Sequence, residues 1–271
     1  MSIVPVDIAD LVKHTGLRWA ERPVKPPQLS PVAEEWAFVG GEHISKNIGV
    51  AVGLVCSGRY CPPEWGFALG MLEIPPGSNR IFLMQKGIQR DVARQAVAEM
   101  AVQVNARNLL FIDDDNPPPR DTVYKLMQTL DSADDDVAVC AGIYTTKTNP
   151  PSPLVFESEG SGPMWRWKRG DIFECGVIAT GCMMIRTSAL LKLPKPWFVD
   201  VTSVAQAKDL GLLAWESHAT HFEMTDDVYF CRKIRDAGFK LLAHGGVLPS
   251  HYDEFGNAYF LPDDSYPMVP R

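Results

Sequence analysis

Apolar residues along this chain gather in short, β-branched runs separated by longer segments of helical spacing. Asn47 to Gly58 (NIGVAVGLVCSG) is a small, β-branched run that breaks into a Ser-Gly turn, the pattern of a buried strand. Pro62 to Leu72 reads as a helix with proline near its start. Ile81 to Gln85 predicts a second short strand, and Gln89 through Ala106 places apolar residues at helical spacing. The run Asn108-Leu109-Leu110-Phe111-Ile112 then ends abruptly in Asp113-Asp114-Asp115-Asn116. Four apolar residues with polar bounds predict a strand buried on both faces. Strand, helix, strand, helix, strand in this order implies a parallel, right-handed, doubly wound half.

The second half is less regular. Arg120 to Leu130 is an amphipathic helix, and Val137 to Gly142 is another buried strand. Asp134-Asp135-Asp136, between those two, reads as a solvated turn. Val155-Phe156 and Trp165-Arg166-Trp167 suggest an antiparallel ribbon. Phe173 to Ile185 is one apolar stretch interrupted by Thr180-Gly181-Cys182, where a glycine inside a strand marks a bulge, a packing site or a close backbone approach to ligand. Thr225 to Gly238 is a helix with Thr at its start, acids in its first turn and Gly at its end, followed by a last strand at Phe239 to Leu242.

Residues 1–46 carry Pro5, Pro23, Pro26, Pro27 and Pro31, a density that blocks continuous ladders, with helical candidates only near Asp7 to His14 and Pro31 to Phe38. They read as an irregular extension, 47–251 as one α/β domain, and 252–271 as a tail packed on it. Trp19 and Trp36 anchor the extension to the core or serve a homo-oligomer contact, core anchoring being favoured.

Composition narrows the function classes. At 271 residues, 46% hydrophobic and 22% charged, the chain is ordinary for a globular protein with a sizeable core. A formal net charge of -7 argues against adhesion to a nucleic-acid backbone or anionic membrane. The N-terminus lacks the basic start and apolar core of a signal peptide, and no apolar run approaches a membrane span, so a cytoplasmic protein is expected. Six scattered cysteines without Cys-x-x-Cys spacing argue against a zinc ribbon or a disulfide scaffold. His218-x-x-His221 could share a helical face around a metal, but the spacing matches no known zinc site and favours loop residues.

The chemistry gathers at strand ends. In an open α/β sheet ligands bind at the carboxyl edge, where Asp113 to Asp115 should emerge. Strand alternation turns Asp113 and Asp115 the same way and Asp114 oppositely, giving two carboxylates able to converge on one hard cation. Cys56, Ser57 and Arg59 should reach the same edge from the first strand.

Asp-x-Asp after a buried strand, Thr-Gly-Cys in a later apolar run, Thr-Asp-Asp opening a helix that ends Ala-Gly-Phe-Lys, and then His251 form an ordered pattern over Asn47 to His251. That order resembles the nucleotide-sugar-dependent glycosyltransferases of GT-A fold, in particular the inverting, family-2-like type. The resemblance implies a Rossmann-like, mostly parallel sheet flanked by helices, with a small antiparallel ribbon in the second half. It also implies that Asp113 and Asp115 (the family's DxD motif) and His251 bind Mn²⁺ or Mg²⁺ against the donor diphosphate, a manganese-type or magnesium-type metal-binding site. Asp227 matches the general base that deprotonates the acceptor hydroxyl, and Asp226 takes the place of the Glu that precedes it. Thr180, Gly181 and Cys182 would lie against donor sugar and acceptor. Cys56, Ser57 and Arg59 would lie at the nucleotide, Arg94 near the donor, and Asp114 beside it.

The reading is a metal-dependent glycosyltransferase, using a nucleoside-diphosphate sugar with inversion. Retention stays open on this fold, as do the donor nucleotide and its sugar. Glycan, protein, lipid-carrier and modified-nucleobase acceptors all satisfy a carboxylate base. Two alternatives stand beside it: a magnesium-dependent nucleotidyltransferase or phosphohydrolase, and a non-catalytic nucleotide-sugar-binding module.

Overall fold

A computed structural model describes residues 48–56 and 61–262, together with the backbone of Trp36–Phe38. Most of the N-terminal extension, Ser57, Arg59 and residues 263–271 therefore lie outside the described residues.

The elements are β1 (Trp36–Phe38), β2 (Ile48–Cys56), α1 (Pro63–Gly70), β3 (Asn79–Lys86), α2 (Arg90–Gln103), β4 (Asn108–Asp113), α3 (Thr122–Ser132) and β5 (Val137–Gly142). There follow β6 (Val155–Phe156), β7 (Ile172–Cys175), β8 (Val177–Ile178), β9 (Cys182–Arg186), α4 (Thr187–Leu190), α5 (Val204–Asp209), α6 (Asp226–Asp236), β10 (Lys240–His244), β11 (His251–Asp253) and β12 (Ala258–Phe260). The described residues form an eight-stranded sheet in the order β1-β3-β2-β4-β9-β5-β10-β7. Strands β2, β3, β4, β5 and β10 run one way, and the others run against them. The molecule has the expected fold class, a mixed α/β fold with a mostly parallel central sheet between helices and small antiparallel ribbons.

Strand alternation sorts the core into two layers. Ala51 and Val55 of β2 and Leu109 and Phe111 of β4 pack with Ala93, Val97 and Ala101 of α2 and with Phe230 and Ile234 of α6. Val50, Val52 and Leu54 of β2 and Leu110 and Ile112 of β4 face the opposite way, onto Trp65 and Leu69 of α1 and Leu126 and Leu130 of α3. An aromatic stack joins the layer that matters for the site. Phe198 meets Phe111 edge-on at 5.3 Å and stacks on Phe230 at 4.5 Å, tying β4 to α6. Each such ring pair adds about 0.5–1.5 kcal/mol beyond area burial.

Four expectations change. Trp36–Phe38 is a strand paired antiparallel with Phe82 to Met84, not the end of a helix, because the outer edge of β3 offers it a ladder. Phe173 to Ile185 is three strands instead of one interrupted strand. Gly176 breaks it where a Cβ would come 2.2 Å from the Glu157 carbonyl oxygen. The ribbon partner of Val155-Phe156 is consequently Val177-Ile178, while Trp165 to Trp167 carries no strand. Finally, the expected boundary after His251 cuts through a hairpin, because β11 pairs with β12 from His251 to Phe260.

Candidate functional site

Parallel pairing brings the carboxyl ends of β2, β3, β4, β5 and β10 to a single edge. The antiparallel strand β9 begins at that edge, with Cys182 opposite Ile112. Strand β4 ends at Asp113, and the chain turns at once, the Asn116 N–H donating to the Asp113 carbonyl at 3.1 Å. Strand alternation therefore stops at Asp113. Asp114 does not face away as the alternation implies: it lines the same cleft as its two neighbours. The proline-rich loop that follows is docked by the β11 region, through Tyr252 N–H to the Asp115 carbonyl at 2.8 Å and Asn116 Nδ2 to the Ser250 carbonyl at 3.1 Å.

Asp113 is the last member of the Leu109, Phe111 series and so faces α2. There it meets Arg94, which is 2% exposed on the buried face of that helix. Arg94 Nη2 donates to both Asp113 oxygens, at 2.9 and 2.7 Å, and its Nη1 donates to Asp226 Oδ2. Arg90, one turn earlier, donates through Nε to Asp226 Oδ1 at 3.1 Å and lies 3.6 Å from Asp200. Burial works against the Arg94 charge, but Asp113 and Asp226 outweigh it and raise its pKa. Burial likewise raises the Asp113 carboxyl above its ordinary value, against the pull of Arg94. Asp226, fully buried, is thus a strut that ties the first turn of α6 to β4 through Arg94.

Asp227, the next residue, is half-buried, and its Oδ1 accepts from the Thr225 hydroxyl and from the Val228 N–H at 2.9 Å. It stands at the N-terminus of α6, where the helix dipole favours a carboxylate.

Asp115 lies in a different environment. Its Oδ2 accepts from Lys147 Nζ at 2.5 Å and lies 3.3 Å from His251 Nε2. The other ring nitrogen of His251, Nδ1, is 2.6 Å from the Thr145 carbonyl oxygen. A carbonyl only accepts, so Nδ1 carries hydrogen and Nε2 is the nitrogen turned toward the carboxylate. Burial alone would raise the Asp115 carboxyl, but His251 and then Lys147 outweigh it and hold it below its ordinary value.

Asp113, Asp114, Asp115, Arg90 and Lys147 line a cleft of about 660 Å³ whose walls also include Val55, Cys56, Ile88 and Tyr252 to Phe255; Arg94, Asp226, Asp227 and His251 are not among its lining residues. Among the described residues Arg90 and Lys147 are its cations, against Asp113, Asp114, Asp115, Asp253 and Glu254. Burial, followed by the nearby Asp114 charge, pushes the Cys56 thiol up to about 12, so it is a neutral wall residue. Thr180, Gly181 and Cys182 are buried behind the Asp113 turn and are not among the cleft residues. A Cβ on Gly181 would meet Asn116 Oδ1 at 2.4 Å and the Tyr144 hydroxyl at 2.5 Å, and its N–H donates to that hydroxyl at 3.0 Å. His218 and His221 sit in irregular chain with His221 near Glu223, and Asp134 to Asp136 form the expected turn.

The donor set accommodates a divalent cation only in part. Asp115 and His251 face each other at a separation one ion can bridge, and the hydrogen bond from Nδ1 fixes the imidazole as metal sites require. Asp113 does not fit, because Arg94 holds both its oxygens. Among the described residues no three His, Cys, Asp or Glu side chains are placed to share an ion.

Comparison with known proteins gives a fold and no family. No protein-family model matches the chain, and no curated protein does. Among solved structures it is similar to one described as the crystal structure of A197 from STIV. The identity is 16% and the TM-score 0.51, covering 82% of this chain and 98% of that one. At that identity the likeness concerns architecture alone.

Sequence reading missed Lys147, Arg90 and the β11–β12 hairpin. Lys147 follows the buried strand β5, so the rule that drew attention to the end of β4 applied equally to it. The hairpin carries no signal beyond His251, since 252–271 reads only as a tail packed on the domain. Among the described residues no helix is long and apolar enough to cross a membrane.

Proposed function

We propose that this protein transfers a glycosyl group from a nucleoside-diphosphate sugar to an acceptor hydroxyl, with inversion. The observation that carries the reading is the cleft at the carboxyl edge of the sheet lined by Asp113, Asp114, Asp115 and Lys147, with His251 set against Asp115. Among the described residues five carboxylates face two cations in that cleft, a wall on which a bare diphosphate is repelled, so the donor would enter with a counter-ion. Asp115 and His251 are the residues that would hold Mn²⁺ or Mg²⁺. Such an ion, when bound, neutralises charge developing on the diphosphate leaving group.

The rest falls to the chain itself. Val55, Cys56, Ile88 and Phe255 supply apolar wall for the nucleoside. Asp227 takes the proton of the attacking hydroxyl, and the Arg94 clamp on Asp113 and Asp226 fixes the first turn of α6, and Asp227 with it, relative to the cleft. Asp226 leaves the catalytic set for a positioning role. Nucleotidyl transfer through a pair of metal ions is disfavoured, because Arg94 occupies the carboxylate that a second ion would need.

The test is incubation with a panel of nucleotide sugars and Mn²⁺, with and without EDTA, reading released nucleoside diphosphate and the shift in melting temperature. At least one donor should be turned over and should raise the Tm. If none does either, glycosyl transfer loses its support. Asp227→Asn should keep the donor-induced shift while losing transfer by about 10²–10⁴-fold. A variant that binds and transfers like the parent would remove the base assignment.

A further inference from the structure

We propose that a second groove, on the C-terminal half of α6, binds a small amphipathic anion: an apolar body carrying one phosphate or carboxylate group. The groove has a volume of about 360 Å³ and shares no lining residue with the acidic cleft, so glycosyl transfer makes no use of it. Tyr229, Arg232, Lys233 and Asp236 follow one another at i, i+3, i+4 and i+7 along α6 and form a single stripe on that helix. Phe230 and Ile234 carry the face turned to the main core, whereas Tyr229 belongs to a small separate cluster with Val201, Ala207 and Met224. Leu193 and Pro194 after α4, with Leu210 and Leu212 after α5, complete the groove around the stripe.

Its charge is the reverse of the cleft's. Among the described residues Lys192, Arg232 and Lys233 line it against the one carboxylate of Asp236, in a chain whose formal net charge is -7. Those cations are poorly neutralised. Arg232 lies 3.6 Å from Glu159 and 3.9 Å from Asp236, both too far for a hydrogen bond. Lys233 Nζ donates to the Pro196 carbonyl at 2.8 Å and to the Tyr229 hydroxyl at 3.4 Å, both uncharged groups. Burial lowers the Lys233 pKa below its ordinary value, the direction of an ammonium that has lost water without gaining a counter-charge. Lys192 Nζ stands 5.4 Å over the Phe239 ring. The helix dipole accounts for a cation in the last turn of α6, but Lys192 comes from another element. An anionic head among these three cations supplies the missing counter-charge, while the leucines and the Tyr229 ring receive an apolar body. The volume lies at the small end of ligand pockets, which favours a small molecule over a peptide segment.

The experiment follows amide resonances of the full chain by NMR during titration with phenyl phosphate and with phenylacetate. Inorganic phosphate supplies a head alone, and benzyl alcohol a body alone. At least one phenyl anion should shift the amides of Leu212, Tyr229 and Ala237 saturably by about 10 mM, and the tighter of the two names the head group as phosphate or carboxylate. Each half alone should bind at least about 5-fold more weakly. Lys233→Gln, whose amide can keep the bond to Pro196, and Lys192→Gln should each weaken binding about 5-fold. Lys195→Gln, which removes a surface lysine paired with Glu99 outside the groove, should bind like the parent. Absence of saturable shifts with both anions overturns the inference. So does equal binding of benzyl alcohol, or a loss in Lys195→Gln as large as in Lys233→Gln. Groove shifts that follow protein concentration instead of anion concentration overturn it in favour of a contact between copies. No nucleotide sugar enters these titrations, so their outcome is independent of glycosyl transfer.

Discussion

Two adjacent aspartates, Asp226 and Asp227, open the same helix and differ in everything that decides their use. Asp226 is fully buried with Arg94 on one oxygen and Arg90 on the other; Asp227 is half-buried, held only by Thr225 and its own helix turn. Removing one member of a buried, hydrogen-bonded ion group strands the charges it leaves behind, at a cost of about 3–5 kcal/mol. Arg94→Met should therefore lower stability by about that amount in urea unfolding, because it leaves Asp113 without its cation and buried Asp226 with Arg90 alone. An equal loss from Asp227→Asn would contradict the division of roles, since that carboxylate keeps access to water. Half of this follows from the parity of β4 once α2 is seen to cover that face, although the sequence points to Arg94 only through the family resemblance. Leu109, Phe111 and Asp113 share the α2 face, so a basic residue on the buried side of α2 is what the strand end requires, and Arg94 sits there between Ala93 and Val97. Parity failed at Asp115 for a definite reason, namely that the strand had already ended and the turn re-aims each carboxylate independently.

At the scale of elements, the start of β9 shows how tightly the back of the site is packed. Gly181 passes between Asn116 and Tyr144 with its carbonyl accepting from the Asp113 N–H at 3.1 Å, so the Asp113 turn rests directly on its backbone. A methyl group there would have to displace the Asn116 amide and the Tyr144 ring together. Gly181→Ala is accordingly expected to cost about 1–3 kcal/mol by overpacking, measured by thermal or urea unfolding. A variant as stable as the parent would show that Asn116 and Tyr144 give way freely. The glycine was visible in the sequence as an interruption of an apolar run, and a close backbone approach was among its expected meanings. The approach proves to be to protein groups, because the antiparallel entry of β9 beside β4 sets Gly181 behind the aspartates instead of in front of them. Nothing in a one-dimensional pattern distinguishes those two sides. The hairpin β11–β12 was illegible for a related reason: beyond His251, its hold on the Asp115 loop is the Tyr252 N–H on the Asp115 carbonyl, a backbone contact that any residue could make.

For the molecule as a whole, the six cysteines offer a global check on the layer arrangement, since each reports the depth of a different element. Cys140 in β5, Cys175 in β7, Cys182 in β9 and Cys231 in α6 are buried. Burial pushes the first three thiols up to about 12, and it raises Cys231 as well. Cys56, at the cleft wall, is likewise raised to about 12, whereas Cys61 is exposed just before α1. The thiolate is the reacting species, and a thiol raised to about 12 holds only about one part in ten thousand of it at pH 8. The sign is the same for all five: raising the pH toward 12 increases their reactivity, and lowering it suppresses what little there is. In the folded protein at pH 8, a disulfide reagent such as dithiobis-nitrobenzoate should therefore label a single thiol rapidly, identified by mass spectrometry as Cys61. The remaining five should react only after unfolding in guanidinium, on the timescale of loss of structure. Rapid labelling of Cys140 or Cys182 in the native state would place β5 or β9 near solvent and dismantle the two-layer core, and with it the carboxyl edge on which Asp115, Lys147 and His251 meet.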